Sequence, residues 1–526
     1  MTSTVVVIDG ASLTCAAVAA VARRQAGVAV DERAVAAARA AWQTARELAA
    51  RQPVYGRNTG VGANHVVDLS ERDRAEHGIR LLRSHAAGTG PLLAPEVARA
   101  MLVIRLNQLG AGGSGVDPAI LPVLADAINR GFTPPVQLYG AIGTGDLTAL
   151  ASTGLCLLGE RAWQGGTGPP PQFAIQTSEA LGFISSSAAT LGDAALACQD
   201  LATLLRAAVP LAALSLLAVR GSAEPYAEAV HLARPHPGQQ RVAASMRALL
   251  AAAQIKAARV QDPYGYRAFP QVHGPALDSV GQAMAVLEAE LNGSAENPLI
   301  DVAGQAVWHN GNFHAAYAGL ALDAIRGALF QTAALSVARL GTLMEPSFTE
   351  LNPFLAEDAA SSGVMILEYV AHSAVADIRR FGAPAALGGA VLSRGVEEHA
   401  GFATQSARAT SDTVAAYRAV LACELIAATR ALRMQDRPPA LGGALRQAYD
   451  LADSALERTP ADRPLDCDLS AAQGILPGNF YFSRALSLCL FCGAYVWHVL
   501  APRPVKVRAL YTNDQPTVPS SRKVLP

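Results

Sequence analysis

Three long stretches of this 526-residue chain repeat apolar side chains at three- and four-residue intervals: Ala188–Val219, Ala315–Leu343 and Ala403–Leu432. That spacing lines one helical face after another, and about a fifth of all residues are alanine, the strongest helix former. In the second stretch Leu320, Ile325, Leu329 and Leu335 carry the stripe. Helices this long predict a bundle. They are apolar on more than one face, which predicts burial on several sides. So much apolar helix surface is hard to cover within one subunit, so a homo-oligomer is expected, its bundle completed by neighbouring chains.

The first part of the chain reads differently. Val5–Asp9 predicts a short strand, and glycine-rich loops at Tyr55–Gly62, Ala111–Gly115 and Gly140–Asp146 break the helices that follow. The predicted fold is therefore mainly α: a loop-rich N-terminal head domain over residues 1–195, then a long-helix bundle and C-terminal region over residues 196–526. The tail from about Pro502 mixes proline, arginine and polar residues and predicts a loosely held segment.

Composition excludes several classes. Hydrophobic residues make up 51% and charged residues 16% of the chain, the latter below the roughly 25% of an ordinary soluble protein, so disorder is excluded. Only Lys256, Lys506 and Lys523 are lysines, and the net charge of −1 comes without a long basic run, which argues against nucleic acid. Seven scattered cysteines form no disulfide framework and suit a reducing compartment. Cys489 and Cys492 make a CxxC, but it lies within the apolar stretch Leu486–Ala501 and reads as buried helix. No signal peptide and no membrane span are expected, and the expected location is cytoplasmic.

Several segments carry chemistry. Tyr55–Asn64, YGRNTGVGAN, lacks the Lys-Ser/Thr ending of a P-loop and places one phenol on a flexible loop, an arrangement suited to acid–base work on a lid. Gln261–Gly274, QDPYGYRAFPQVHG, follows a helix that stops before Pro263. Its Arg267 offers a fork for a carboxylate or serves a structural ion pair. His309–Tyr317, HNGNFHAAY, sets two histidines five residues apart without a carboxylate at metal spacing, so no metal is expected.

Taken in order, these segments resemble one family over nearly the whole chain: histidine ammonia-lyase with its relatives, the phenylalanine and tyrosine ammonia-lyases and aminomutases. The opening VVVIDGASLTCAAVAAVAR, the lid YGRNTGVG, SHAAGTG (Ser84–Gly90), QDPYGYR, SAENPLI (Ser294–Ile300), GNFH (Gly311–His314) and EEH (Glu397–His399) carry the likeness. The resemblance implies a mostly helical homotetramer whose active sites combine loops of several subunits. It implies elimination of ammonia from an α-amino acid to leave an α,β-unsaturated acid. It also implies an electrophile, methylidene-imidazolone, made when an Ala-Ser-Gly tripeptide cyclises and loses water.

Here the sequence departs from the family. Gly140–Leu147 reads GAIGTGDL where the family has GSVGASGDL, so the alanine is missing and Thr144 replaces serine. Cyclisation of Gly143-Thr144-Gly145 would leave an extra methyl on the electrophilic carbon, and the shortened loop would lose strain that drives ring closure. Where the family's LLNGTQ segment has asparagine, Phe183–Ser187 reads FISSS and sets Ser185. The expectation is a chain with no bound cofactor and without the self-derived methylidene-imidazolone.

The resemblance also assigns roles. Arg267 would hold the substrate carboxylate, Tyr55 would be the β-proton base and Tyr264 would orient the reacting centre. Phe313 would pack beside it, with Gln261 and Asn310 as hydrogen-bond partners. A tyrosine base needs its pKa pulled well below about 10, and Arg267 or a helix N-terminus would supply the field. Ser84-His85 and Glu397 resemble the histidine-specific members, although Val396 replaces the glutamine that usually precedes the glutamate. Carboxylate and imidazole linings suit a polar, protonatable ring. Three functions compete: a carbon–nitrogen lyase on a histidine-like or aromatic amino acid, an ergothionase-like lyase for a trimethylammonium betaine or other activated leaving group, and a catalytically inactive scaffold. Retention of Tyr55, Tyr264, Arg267 and Glu397 weighs against the scaffold.

Overall fold

The computed structural model describes residues 4–62, 71–253, 255–478 and 480. The CxxC at Cys489 and Cys492 and the tail from Pro502 lie outside the described residues.

The chain opens on a parallel pair of strands, Thr4–Ile8 and Ala26–Val30, joined through the helix Cys15–Ala22. Thr14 caps that helix by accepting from the Ala17 N–H, and Asp31 does the same for the helix Glu32–Ala49, each satisfying a backbone donor that has no partner within the helix. Further two-stranded antiparallel pairs follow: Thr89–Leu92 with Gln137–Tyr139, Phe132–Thr133 with Gln164–Gly165, and Leu299–Asp301 with Ala306–Trp308. These strands pin loops. The core belongs to helices.

Six helices frame that core: α1 (Pro95–Gly110), α2 (Ala188–Ala218), α3 (Phe269–Leu291), α4 (Ala316–Met344), α5 (Ile366–Phe381) and α6 (Ala403–Met434). α2 is the axis, packed against α1, α3, α4 and α6. Its Leu201, Leu204, Leu205, Leu211, Leu214 and Leu216 are fully buried, each contributing about 1.5–3 kcal/mol by burial. The mainly α expectation holds, with helix ends within two residues of those read from periodicity.

Two expectations need correction. The boundary expected at 195/196 falls inside α2, which runs unbroken across it and packs on elements from both sides. One continuous apolar core joins the head and the bundle. Leu320 does not share the buried stripe of Ile325 and Leu329: it is 62% exposed on the outer face of α4. By length and apolar composition, the stretch Thr177–Ala218 and α4 would each pass as a membrane span. The most apolar window of the first is 89% buried inside the fold and that of α4 only 44%. The first is a core helix, while α4 keeps an open apolar face.

Charge inside the bundle is paired. Arg339 of α4 grips Glu424 of α6 through Nε at 2.6 Å and Nη2 at 2.7 Å, with Ser215 Oγ donating to the same carboxylate at 2.7 Å. Arg105 of α1 donates to Glu296 at 2.8 Å and to the Phe183 carbonyl at 3.0 Å. That second pair ties the segments bearing Asn297 and Ser185 to the core, so it positions the site.

Candidate active site

Four helix N-termini converge on the loop Gly140–Asp146: those of the helix Leu147–Leu157, α2, α4 and α6. The first N–H groups of a helix lack partners within it, and here the loop supplies them. Phe402 N–H donates to the Ile142 carbonyl at 2.9 Å and Ala315 N–H to the Gly143 carbonyl at 3.0 Å. Thr190 N–H donates to the Asp146 carboxylate at 2.7 Å, while Asp146 N–H donates to Ser186 O at 2.7 Å. Burial pushes the Asp146 carboxyl up, against the pull of the Thr190 N–H and hydroxyl. The positive ends of these helices make the loop's surroundings favourable to negative charge.

Gly143 and Gly145 flank Thr144 at φ +87° and +103°, a region glycine enters freely. A Cβ at Gly143 would stand 2.6 Å from the Ala403 nitrogen. The position is closed to every other residue.

Thr144 and Gly145 open onto a cavity of about 680 Å³ that Tyr55, Ser185, Asn297, Phe313, His314, Glu397 and His399 also line. Each is held in place. Arg57, a buried residue of the lid, donates to the carbonyls of Ser114 at 3.1 Å and Gly115 at 2.6 Å. Ser187 Oγ donates to the Phe313 carbonyl at 3.1 Å, and Ser185 Oγ accepts from Asn297 N–H at 3.1 Å. Glu397 sits on a tight turn closed by Leu392 N–H to the Glu397 carbonyl at 2.8 Å. An adjoining cavity of about 480 Å³ shares Tyr55, Gly62 and Glu397 as its wall and carries Ser84 and His85 on its far side. His85 Nδ1 lies 2.9 Å from the Leu81 carbonyl and 3.0 Å from Ser84 Oγ.

Tyr55 Oη accepts from Gly62 N–H at 2.7 Å. Burial pushes its phenol up, the Gly62 N–H pulls it down and the Glu397 carboxylate pushes it up again. The net direction is upward, opposite to the expected depression. The cause is geometric: within one chain Arg267 is not beside it. Gly265 packs on Arg339 near the far end of α4, about 35 Å along that helix from its start beside the cavity. Arg267 there stacks on the Tyr264 ring at 4.4 Å, and Tyr264 is 67% exposed. Gln261 is likewise exposed on that face. The expectation that Arg267, Tyr264 and Gln261 gather with Tyr55 is therefore not met within a single chain. Asn310 is also displaced from its expected role. Its amide donates to the Glu296 and Trp308 carbonyls at 3.0 and 2.9 Å and its oxygen accepts from Asn312 N–H at 2.8 Å, so it holds the turn and does not line the cavity.

Among the lining residues to which sequence reasoning gave no role are Asn297, His314 and His399. All three stand inside segments that carried the family likeness, and their place in those segments was the available signal. His314 Nε2 and His399 Nδ1 lie 2.9 Å apart.

The family profile described as "Aromatic amino acid lyase" matches residues 13–454. A histidine ammonia-lyase of Streptomyces coelicolor is 34% identical over 507 residues, spanning 92% of this chain and 98% of that relative. The chain belongs to the aromatic amino acid lyase family. Among solved structures, histidine ammonia-lyase from Trypanosoma cruzi superposes on the lyase with a TM-score of 0.85 at 27% identity, covering 97% of this chain and 100% of that one. The ergothionase of Treponema denticola superposes with a TM-score of 0.84 at 23% identity, covering 91% and 100%, a likeness of fold. Against the family's Ala-Ser-Gly tripeptide the lyase presents a poor fit. An alanine side chain has no room at Gly143, and the residue between the glycines is a threonine.

Proposed function

We propose that this carbon–nitrogen lyase eliminates an amine from a histidine-like α-amino acid, giving the α,β-unsaturated acid, and does so without a standard methylidene-imidazolone. The observation that carries the reading is the loop Gly143-Thr144-Gly145, which opens into the cavity but excludes an alanine side chain by its contact with Ala403. Without that electrophile the leaving group must already be activated. A trimethylammonium betaine meets the requirement, since its nitrogen is permanently cationic and needs no protonation before it leaves. A primary ammonium leaves with a higher barrier.

Glu397 and His85, on two sides of a shared wall, support a polar ring over a phenyl ring. Glu397 protonates the ring, which then draws electrons from the β-carbon. Tyr55 takes the β-proton, the C–H pair becomes the double bond, and the C–N pair departs with the amine. For that step the phenol needs a cation nearby, and Arg267 of a second copy supplies it while clamping the carboxylate. Tyr264 and Gln261 arrive on the same face. The open sides of α4 and α5 support such an assembly: Tyr317, Leu320, Ile366 and Tyr369 are 76%, 62%, 52% and 68% exposed, and only 44% of the most apolar window of α4 is buried. The assembly proposed is a homotetramer, and the place of action the cytoplasm.

Intact-mass measurement and an ultraviolet screen test this together. The expected mass is that of the unmodified chain, and the expected substrate among histidine, its trimethyl betaine and aromatic amino acids is one bearing an imidazole ring. A chain lighter by the waters of ring closure, or turnover confined to phenyl side chains, would overturn the reading.

A further inference from the structure

His314 and His399 stand 85 residues apart in sequence, yet their rings meet in the main cavity, Nε2 of one to Nδ1 of the other at 2.9 Å, with centroids 5.0 Å apart. The pair is the hydrogen-bonded bridge between the turn ending at Phe313 and the segment that bears Glu397. In the tautomer that makes His399 Nδ1–H the donor and His314 Nε2 the acceptor, His399 Nε2 carries a lone pair. Nε2 has no partner among the described residues, and the His399 ring is open to the cavity. Burial and the neighbouring His399 both hold His314 below the usual imidazole range, which favours its neutral form. The other titratable groups lining the cavity around it are Glu397 and Glu398 on the same segment, His309 and Tyr55.

We infer that His399 is a specificity-determining residue: with Glu397 it grips the two N–H groups of a protonated imidazole, its acceptor nitrogen fixed by His314. This rests on the reading of a histidine-like substrate and says how the ring is recognised. A protonated imidazole is distinguished from phenyl, phenol and neutral imidazole by having N–H donors on both edges. Acceptors on opposite edges stand about 7 Å apart, one hydrogen bond of about 2.8 Å beyond each nitrogen. Glu397 and His399 stand two residues apart on one segment and line the same cavity, so one ring placed there meets both. A ring held at both N–H groups stays protonated, the state that withdraws electrons from the β-carbon. His314 acts through its bond to His399 and is a positioning residue.

The test is binding of imidazole-4-acrylate, the product-like acid, and of its two ring N-methyl isomers to the full-length lyase, read by calorimetry. Wild type binds the parent acid and loses roughly 10–100-fold for each isomer, because a methyl removes a donor and leaves an acceptor of the bound site unpaired. His399→Leu abolishes the penalty for one isomer only, and Glu397→Gln lowers it for the other. His399→Gln, which keeps an acceptor, retains the discrimination, and His314→Leu weakens it on the same isomer as His399→Leu. His399→Phe serves as a second removal should the leucine variant fail to fold. If His399→Leu or His399→Phe leaves both penalties intact, or if wild type binds all three acids alike, the inference is overturned while amine elimination stands. If wild type binds none of them, the histidine-like reading falls with it.

Discussion

Tyr55 shows how one atom's surroundings decide a role. Its phenolate is opposed by burial and by the Glu397 carboxylate, and favoured only by the Gly62 N–H. Tyr55→Phe keeps the ring and removes the oxygen, so kcat is expected to fall at least about 100-fold with little change in KM, the usual scale for a lost proton-transfer group; steady-state rates over pH check it, and unchanged turnover would remove the phenol from the chemistry. At this scale the sequence was partly legible. Tyr55, Ser185, Phe313 and Glu397 line the same cavity because each sits in a segment whose pattern survives as a unit. The His314–His399 bond was not legible, since each histidine alone reads as an ordinary surface residue and only tertiary packing joins them. Asn310 misled for the opposite reason: a polar side chain in a conspicuous motif is consumed by the turn that displays it.

Helices carry the next level. Apolar spacing made α2, α4 and α6 readable, because burial on several faces leaves few polar interruptions. The division at 195/196 was not readable from composition, which shifts gradually while α2 continues through it. Inside this bundle His273 of α3 is held neutral: Nε2 lies 2.9 Å from the Leu205 carbonyl and Nδ1 2.7 Å from Thr332 Oγ1, and burial depresses its pKa to about 3. The sign follows directly. A histidine whose folded pKa lies below its unfolded value of about 6.5 binds more protons when unfolded. Its contribution is full above that value and shrinks as pH falls toward 3. The midpoint of thermal unfolding is therefore expected to drop between pH 6.5 and 4 more steeply in wild type than in His273→Gln, which has no proton to gain; parallel curves would show that α3 is indifferent to this group.

For the whole molecule, the decisive fact is the length of α4, with the cavity at one end and Arg267 near the other. The sequence names both sets of residues but contains no measure of the distance between them, so their separation became visible only in three dimensions. If sites are shared between copies, two inactive variants should repair each other. Tyr55→Phe and Arg267→Met are each expected to be nearly inactive, and co-expression is expected to return up to about a quarter of the activity, the share of sites that draw both intact residues by random mixing. Activity of co-expressed chains no greater than that of the separate variants would sink the shared site.

The loop Gly140–Asp146 ends up as a keystone. Its carbonyls and its aspartate are the docking points for helices that come from widely separated parts of the chain. Inserting a residue there is therefore not a local change. Every helix seated on that loop would have to be reset at once, so the length of this one short segment and the seating of the whole bundle are fixed together.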